Sequence, residues 1–294
     1  MDTSRPNWRL MVVFCCSLLG SPPLFAHADL LLQIEEISRQ IAQHGENPDL
    51  YLKRGALYWR HGGWSASDKD FQKVRELAPG HPLVDWFEAR LLIDTDQPGK
   101  ADALLSRFLR QNPEHGTAYR DRAVARWDLN QPLLSARDYQ SAISNSERPS
   151  PSLFRSLILS LLAAGRDHAA EAMAEINNGL NRFSRELSLL GLGVDLALAR
   201  SDPQLAFQLM ARLPQGLSDL PQWQFRKAVW YCLDGDTNAA TRSFSTLLAN
   251  AQDREQQRAG TWEPPMEIIS KLNSDTKVET CSNAMWELLL RQHP

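Results

Sequence analysis

The residues of this chain that could do chemistry are mainly its seven histidines, its four cysteines and its adjacent carboxylates. Most of the histidines stand near predicted turns: His61, His81, His115 and His168. No two histidines have the spacing of a metal-binding pair, and carboxylates such as those of Glu35–Glu36 fall on predicted exposed helix faces. We therefore expect turn histidines in contact with solvent, no metal site and no cofactor.

Motifs of enzymes and of nucleic-acid binding are also missing from the sequence. There is no phosphate-binding glycine loop, no Gly-x-Ser-x-Gly and no His-Glu-x-x-His. Gly191-Leu-Gly193 lies inside an apolar run, where we expect close helix packing. The net charge is −3, and basic residues are mixed with acidic ones throughout. The sequence therefore predicts neither an enzyme nor a nucleic-acid-binding protein.

The first 28 residues have the order of a secretory signal peptide. Arg5 and Arg9 precede the apolar run 10–20, and Ala26-His27-Ala28 supplies small residues for cleavage. The run is too short to span a bilayer, which needs about 20 apolar residues. We expect cleavage after Ala28 and a mature protein outside the cytoplasm, in the periplasm of a bacterial cell envelope, without stable membrane insertion.

Two cysteines, Cys232 and Cys281, remain after the predicted cleavage. They form no Cys-x-x-Cys pair, so zinc is not expected. Structural disulfides persist in oxidising compartments, and a bridge would attach the C-terminal segment to the rest of the chain. We predict a Cys232–Cys281 disulfide, with two unpaired thiols as the alternative.

The positions of these residues depend on a repeat of 34 residues that runs through the chain. The first unit of the pattern contains Tyr51, Gly55, Tyr58, Trp64, Ser67, Phe71, Val74 and Pro79. Shifts of one period reach Asp85, Ala89, Leu92, Pro98, Ala101, Leu105, Phe108 and Pro113, and then Tyr119, Ala123, Arg126, Pro132, Ser135, Tyr139 and Ala142. Small residues recur at the positions of Gly55 and Ser67, and large apolar residues recur at the position of Phe71. Such a pattern is typical of pairs of packed helices.

This order resembles the tetratricopeptide repeat, whose signature is an aromatic residue, Leu-Gly, Tyr, Ala, Phe, Ala and Pro. Arg54 departs from it at the Leu, and Asp85 departs at the leading aromatic residue. The resemblance implies an all-α fold, a right-handed α-solenoid of about six helix-turn-helix repeats with helical caps. Glycine, proline and asparagine clusters mark the turns, as at Gly62-Gly63, Asn130-Gln-Pro132 and Asp234-Gly-Asp236.

The predicted organisation has five parts. They are a signal peptide (1–28), an N-terminal capping helix (29–46), three repeats (48–149), three divergent repeats (150–250) and a C-terminal helical cap (251–294). In the capping helix, Leu31, Ile34, Ile37 and Ile41 share a helical spacing and are expected to seal the first repeat.

In tetratricopeptide-repeat proteins the first helix of each repeat lines a concave wall where peptides dock. On this chain the resemblance places three Trp and three Arg there: Trp59, Arg60, Trp86, Arg90, Arg120 and Trp127. Trp and Arg are enriched where binding energy concentrates. The alternative is that the Trp rings only pack between helices. The equivalent wall of repeat four is predicted at Phe154, Ile158, Leu161 and Leu162. These residues are too apolar to be left in water, so we expect later elements or a partner to cover them.

The function predicted from these observations is an exported scaffold or adaptor that binds a protein or peptide partner in the cell envelope. Two other functions stay open. One is a glycan- or polymer-binding module that uses the Trp faces for stacking. The other is an enzyme whose site lies outside the repeats.

Overall fold

The computed structural model describes residues 24–236 and 238–243. Throughout these ranges the chain forms helices joined by short turns, and no strand occurs in them. The chain divides into two compact units, one ending at Gln111 and the other beginning at Asn112. The predicted signal sequence up to residue 23 and the predicted C-terminal cap lie outside the described residues.

The first unit contains α1 (Leu24–His44), α2 (Pro48–His61), α3 (Trp64–Leu77), α4 (Val84–Asp94) and α5 (Pro98–Gln111). Each helix packs against the next, and α2 also packs against α4. The capping helix α1 begins at Leu24 and continues through the bond after Ala28 where cleavage is predicted. Ile34 of α1 is buried as expected, whereas Leu31 is 47% exposed, so Leu31 does not help to seal the first repeat.

The second unit contains α6 (Gly116–Asp128), α7 (Pro132–Ser144), α8 (Pro151–Ala164), α9 (Ala169–Arg182), α10 (Leu187–Ala199), α11 (Pro203–Met210) and α12 (Pro221–Asp234). A short 3₁₀ helix, Arg166–His168, precedes α9, and residues 238–243 are helical. The first helices of successive repeats pack together here as well, α8 on α10 and α10 on α12.

The helices begin and end where the sequence places capping and turn residues. Asn47 caps α2, because its side chain accepts a hydrogen bond from the Asp49 amide at 2.9 Å. Gly62 ends the same helix with a φ of 84°, a conformation that glycine adopts without strain. Asp96 and Asn130, one period apart, have φ values of 59° and 57° in equivalent turns. The predicted turn positions are confirmed.

The small-residue slots bring the two helices of a repeat close together. Gly55, Ala89 and Ala123 are all buried, and a Cβ on Gly55 would lie only 2.7 Å from the Phe71 ring. The Ser67 hydroxyl donates to the Gly55 carbonyl oxygen at 2.8 Å. Ser135 makes the same bond to Ala123 at 2.8 Å, two periods later. The repeat in the sequence is therefore also a repeat of contacts.

The core of the second unit is built around α10, in which every residue from Leu189 to Ala199 is buried. Gly193 lets α10 approach its neighbours, since a Cβ there would lie 3.0 Å from Leu209 and 3.1 Å from Ile176. The expected close packing at Gly191-Leu-Gly193 is confirmed. None of the helices in the described ranges is both long enough and apolar enough to cross a membrane.

Candidate partner-binding surface

Four of the predicted contact residues lie on two neighbouring helices of the first unit. Trp59 and Arg60 are in the last turn of α2, and Trp86 and Arg90 are one turn apart on α4. Asp94, at the end of α4, contacts this group. We call these five residues the first-helix surface.

Arg90 connects the two indole rings of the first-helix surface. Its guanidinium carbon lies 4.1 Å from the centre of the Trp59 ring and 5.4 Å from the centre of the Trp86 ring. Both distances are within the range of cation–π attraction. The structure thus brings together three of the residues that the repeat pattern placed on one face.

Asp94 fixes the orientation of the Trp59 ring. The indole Nε1 of Trp59 donates a hydrogen bond of 2.7 Å to Oδ2 of Asp94. Asp94 was not among the contact residues predicted from the sequence, although it stands one period after Arg60 and carries the opposite charge. This change from a positive to a negative charge at the same position of the repeat is the feature of the sequence that could have indicated a role for Asp94.

The Trp rings also pack within the unit. Trp86 lies 4.8 Å from the ring of Phe87 and 6.1 Å from the ring of Phe108, which is buried. Trp59 and Trp86 are nevertheless only half-buried, and Arg60 is exposed. Packing therefore covers part of each Trp side chain, and part of each stays exposed.

The second unit carries the remaining two predicted contact residues, both on α6. Arg120 donates a hydrogen bond of 2.7 Å to Oδ1 of Asp121, which is itself buried. Trp127 is 39% exposed. Binding by these two residues stays a prediction.

Arg54, which replaces the Leu of the repeat signature, forms a two-point ion pair between α2 and α3. Its Nε and Nη2 donate to the two carboxylate oxygens of Asp70 at 2.8 and 2.7 Å. Two periods later, Arg122 makes the same pair with Asp138 at 2.9 and 2.7 Å. The departure from the signature is thus a repeated structural feature, visible in the sequence as an Arg and an Asp that recur together.

In repeat two, Glu88 and Leu104 stand at the positions of this Arg and Asp, so the same ion pair cannot form. Glu88 pairs with Arg75 of α3, and Arg75 also contacts Asp85. Arg107 of α5 reaches Asp85 as well, so one carboxylate links three helices. Burial alone would raise the pKa of Asp85, but its hydrogen bonds to Arg107 and Arg75 outweigh burial and hold the pKa below its usual value. This explains an Asp at the leading aromatic slot.

A groove of about 720 Å³ opens between α3, α4 and α5, where repeat two lacks the Arg–Asp pair. Leu92 and Leu104 contribute apolar lining, and Trp64, which is 47% exposed, stands at one side. Glu88 and Lys100 also line the groove. This groove was not predicted from the sequence, in which Trp64 stood out only as one position of the repeat.

Three of the turn histidines have structural contacts. Nε2 of His81 lies 2.9 Å from Oδ1 of Asp49, and Nδ1 of His115 accepts a hydrogen bond from the amide of Ala118 at the start of α6. His168 contacts Glu171. In the ranges that the structure describes, no group of three or more His, Cys, Asp or Glu side chains could hold a metal ion.

Comparison with solved structures identifies this arrangement of helices. YrrB, a TPR protein with an unusual peptide-binding site, is 13% identical and matches with a TM-score of 0.53 over 72% of this chain and 99% of its own. Pseudomonas aeruginosa PilF is 15% identical, with a TM-score of 0.50 over 72% and 97% of the two chains. PilW, a widely conserved type IV pilus biogenesis factor, is 13% identical, with a TM-score of 0.50 over 70% and 94%.

This chain has the tetratricopeptide-repeat fold. The all-α fold class expected from the repeat pattern is confirmed by these neighbours, whose low sequence identity shows the fold alone. No family model and no curated protein sequence matches the chain significantly.

Within the tetratricopeptide-repeat fold, the first helix of repeat four, α8, begins one residue later than three periods of 34 after α2. The second helix keeps the predicted frame, since Met173 and Ile176 are buried like Phe71 and Val74 three periods earlier. The apolar wall predicted for repeat four is covered, as expected: Phe154, Ile158, Leu161 and Leu162 are all buried in the core of the second unit.

Cys232 lies near the end of α12 in the last described repeat and is disulfide-bonded. It is the only cysteine among the described residues, so its partner lies outside them. The pairing with Cys281 stays a prediction.

Proposed function

We propose that this protein is an exported tetratricopeptide-repeat scaffold that binds a protein or peptide of the cell envelope through the first-helix surface. The observation that carries the proposal is the assembly of Trp59, Arg90 and Trp86, held by Asp94 and still partly accessible. Similar folds occur in a protein with a peptide-binding site and in a pilus biogenesis factor, which supports a role in binding and assembly.

The chemistry of the first-helix surface suits a peptide with apolar and acidic side chains. The open parts of the two indole rings offer flat area that a partner can bury at little cost in side-chain entropy. Their orientation is set in advance by Arg90 and Asp94, which lowers the entropy lost on binding. Arg60 is exposed next to Trp59 in the chain and supplies a positive charge for a carboxylate.

A photo-crosslinking residue at position 60 tests the location of the partner in cells of the native host. The matched control carries the same residue at Lys69, an exposed position on α3. We expect one envelope protein to crosslink at position 60 and not at position 69. Equal crosslinking at both positions, or none at position 60, would contradict binding at the first-helix surface.

Affinity for the crosslinked partner then tests the named residues. Trp86→Ala removes a half-buried ring, and we expect it to weaken binding by about 2 kcal/mol, roughly thirtyfold. Because Trp86 also packs on Phe108, circular dichroism must show that the variant keeps its helices. Arg60→Glu avoids this problem, since its side chain is exposed, and should also weaken binding, whereas Lys69→Glu should not. Unchanged affinity in both Trp86→Ala and Arg60→Glu moves the site elsewhere.

Export is tested separately by the N-terminus of the mature protein. If residues 1–28 are a signal peptide, protein from the host periplasm begins at Asp29, as measured by intact mass and N-terminal sequencing. A cytoplasmic protein that keeps Met1–Ala28 would overturn the proposed location and leave the first-helix surface untouched.

A further inference from the structure

The end of the described second unit has an apolar surface that the described helices only partly cover. Trp230, Tyr231, Cys232 and Leu233 follow one another in the last full turn of α12, and all four pack against the core without being fully buried. Phe207 of α11 is 54% exposed and stacks on Trp230, with the ring centres 5.2 Å apart. These side chains surround the end of α12, because consecutive helix residues point about 100° apart. We call the five residues the terminal apolar surface.

The terminal apolar surface is preformed. Nε1 of Trp230 donates a hydrogen bond of 2.9 Å to the carbonyl oxygen of Pro203, which fixes the ring on α11. Phe207 and Trp230 line a pocket of about 180 Å³, with Pro203 and Asp234 also in its lining. A large exposed aromatic ring beside a fixed one is the kind of surface that folded proteins cover with another element.

The disulfide at Cys232 indicates which element covers it. The partner sulfur belongs to a residue outside the described ranges, and the chain has only three other cysteines, Cys15, Cys16 and Cys281. Cys15 and Cys16 lie in the apolar run of the predicted signal peptide. Cys281 is the cysteine that the mature chain retains.

The sequence around Cys281 has the apolar pattern that such a contact requires. Cys281, Met285, Leu288 and Leu289 have the spacing i, i+4, i+7 and i+8, which places them on one face of a helix. Asn283 and Glu287 are four residues apart on another face. Residues 244–278 can reach any point on α12, because an extended chain spans about 3.3 Å per residue.

We propose that residues 279–291 form a helix whose Cys281 face docks on the terminal apolar surface and is held there by a Cys232–Cys281 disulfide. The occupant is the chain's own C-terminal segment, and the docked helix covers the open end of the last repeat. Two thiols form the bond while the disulfide of an oxidant such as glutathione disulfide is reduced to two thiols, so electrons and hydrogens balance. This inference does not depend on the first-helix surface.

Peptide mapping of the oxidised full-length protein tests the bond. Trypsin is expected to release residues 228–242 and 278–291, which stay joined without reductant and separate with it. A bond from 228–242 to the peptide that contains Cys15 and Cys16 would overturn the proposal, as would two free thiols in protein exposed to oxidant.

Hydrogen exchange tests the docking itself. In the double variant Met285→Asp/Leu289→Asp, the disulfide can still form, but the apolar face is lost. We expect the amides of 228–234 to exchange about tenfold faster or more than in the wild type. Asn283→Asp adds a charge to the same segment on its polar face and is expected to change nothing. Exchange in residues 48–111 serves as the internal control for global folding.

If the double variant leaves exchange in 228–234 unchanged, residues 279–291 do not cover the terminal apolar surface and the proposal is wrong. If it unfolds residues 48–111 as well, the comparison is repeated on the wild-type protein with and without reductant. In that experiment the proposal requires faster exchange in 228–234 on reduction, and unchanged exchange overturns it.

Discussion

Gly55 has no side chain because the second helix of its repeat leaves no room for one. In Gly55→Ala the new Cβ would lie 2.7 Å from Cε1 of Phe71, a ring that is itself buried. Overpacking of this kind costs about 1–3 kcal/mol and exceeds the gain of at most about 1 kcal/mol from better helix propensity. We expect a lower free energy of unfolding for the first unit, measured by urea denaturation. The control is Gly80→Ala, where no atom lies within 4 Å of the new Cβ, and its stability is expected to stay the same or rise.

Asp85 should make the stability of the first unit depend on pH. Burial disfavours its charged form, but the hydrogen bonds from Arg107 and Arg75 prevail and lower the pKa of its carboxyl group. The stabilisation is then complete above the ordinary pKa and disappears as the pH falls through the lowered value. We expect Asp85→Asn to lower the thermal midpoint at pH 7 and to have a much smaller effect near pH 2. A matched Asp68→Asn variant replaces an exposed carboxylate on α3. An Asp85→Asn effect that is equal at both pH values would contradict this account.

At the scale of single residues, the sequence predicts which residues lie on a given face better than it predicts which residues they contact. Trp59, Trp86 and Arg90 were predicted from their slots in the repeat, because a period of 34 fixes the face on which a residue lies. The bond from Trp59 to Asp94 was not predicted, since it depends on how far an indole reaches across two packed helices. The role of Asp85 was missed for the same reason, because its partners are long arginine side chains from two other helices.

The pairs of helices within repeats one and three are joined by the same ion pair, but with different support. Asp70 is buried and is held by Arg54, whereas the equivalent Asp138 also contacts Arg126 at 2.9 Å. Arg54→Leu would leave a buried carboxylate without its arginine, which typically costs about 3 kcal/mol or more. Arg122→Leu is expected to cost less, because Arg126 remains beside Asp138.

Hydrogen exchange in α3 and α7 compares these two variants within the same chain. The double variant Arg54→Leu/Asp70→Leu, which removes both charges, should recover most of the loss in Arg54→Leu. Equal losses in Arg54→Leu and Arg122→Leu would show that the second arginine gives Asp138 no support.

The boundaries of the helices were predictable because their signals are local. Prolines, glycines and asparagines at the turns depend on backbone conformation alone, and they appear at the expected places. The elements that cover the apolar wall of repeat four were not predictable from the period, since burial depends on what packs against it. Phe154 and Ile158 belong to the core of the second unit, together with residues of α9, α10 and α12.

The compact units of the whole molecule do not follow the strength of the repeat signature. The match to the signature is strong as far as residue 149, whereas the first compact unit ends at Gln111. Signature residues report contacts within one helix pair. The division into units reflects contacts between successive pairs, and these also involve residues that the signature leaves free. The sequence pattern of a single repeat therefore does not predict where one compact unit ends and the next begins.

The two units should respond differently to acid because the Asp85 contacts of the first unit are more exposed than the Asp195–Arg226 pair of the second. In the first unit, Arg75 and Arg107, which join α4 to its neighbours, have side chains that are 31% and 49% exposed. In the second unit, the Asp195–Arg226 pair is almost completely buried within an apolar core. Solvent and salt screen exposed pairs, and protonation of their carboxylates removes them, whereas burial of apolar area does not depend on pH.

We therefore expect acidification from pH 7 to about pH 3 to lower the urea midpoint of the first unit more than that of the second. Hydrogen exchange measures both midpoints in one chain, from peptides in 48–111 and in 151–234. Equal shifts would show that the surface ion pairs of the first unit do not determine its stability.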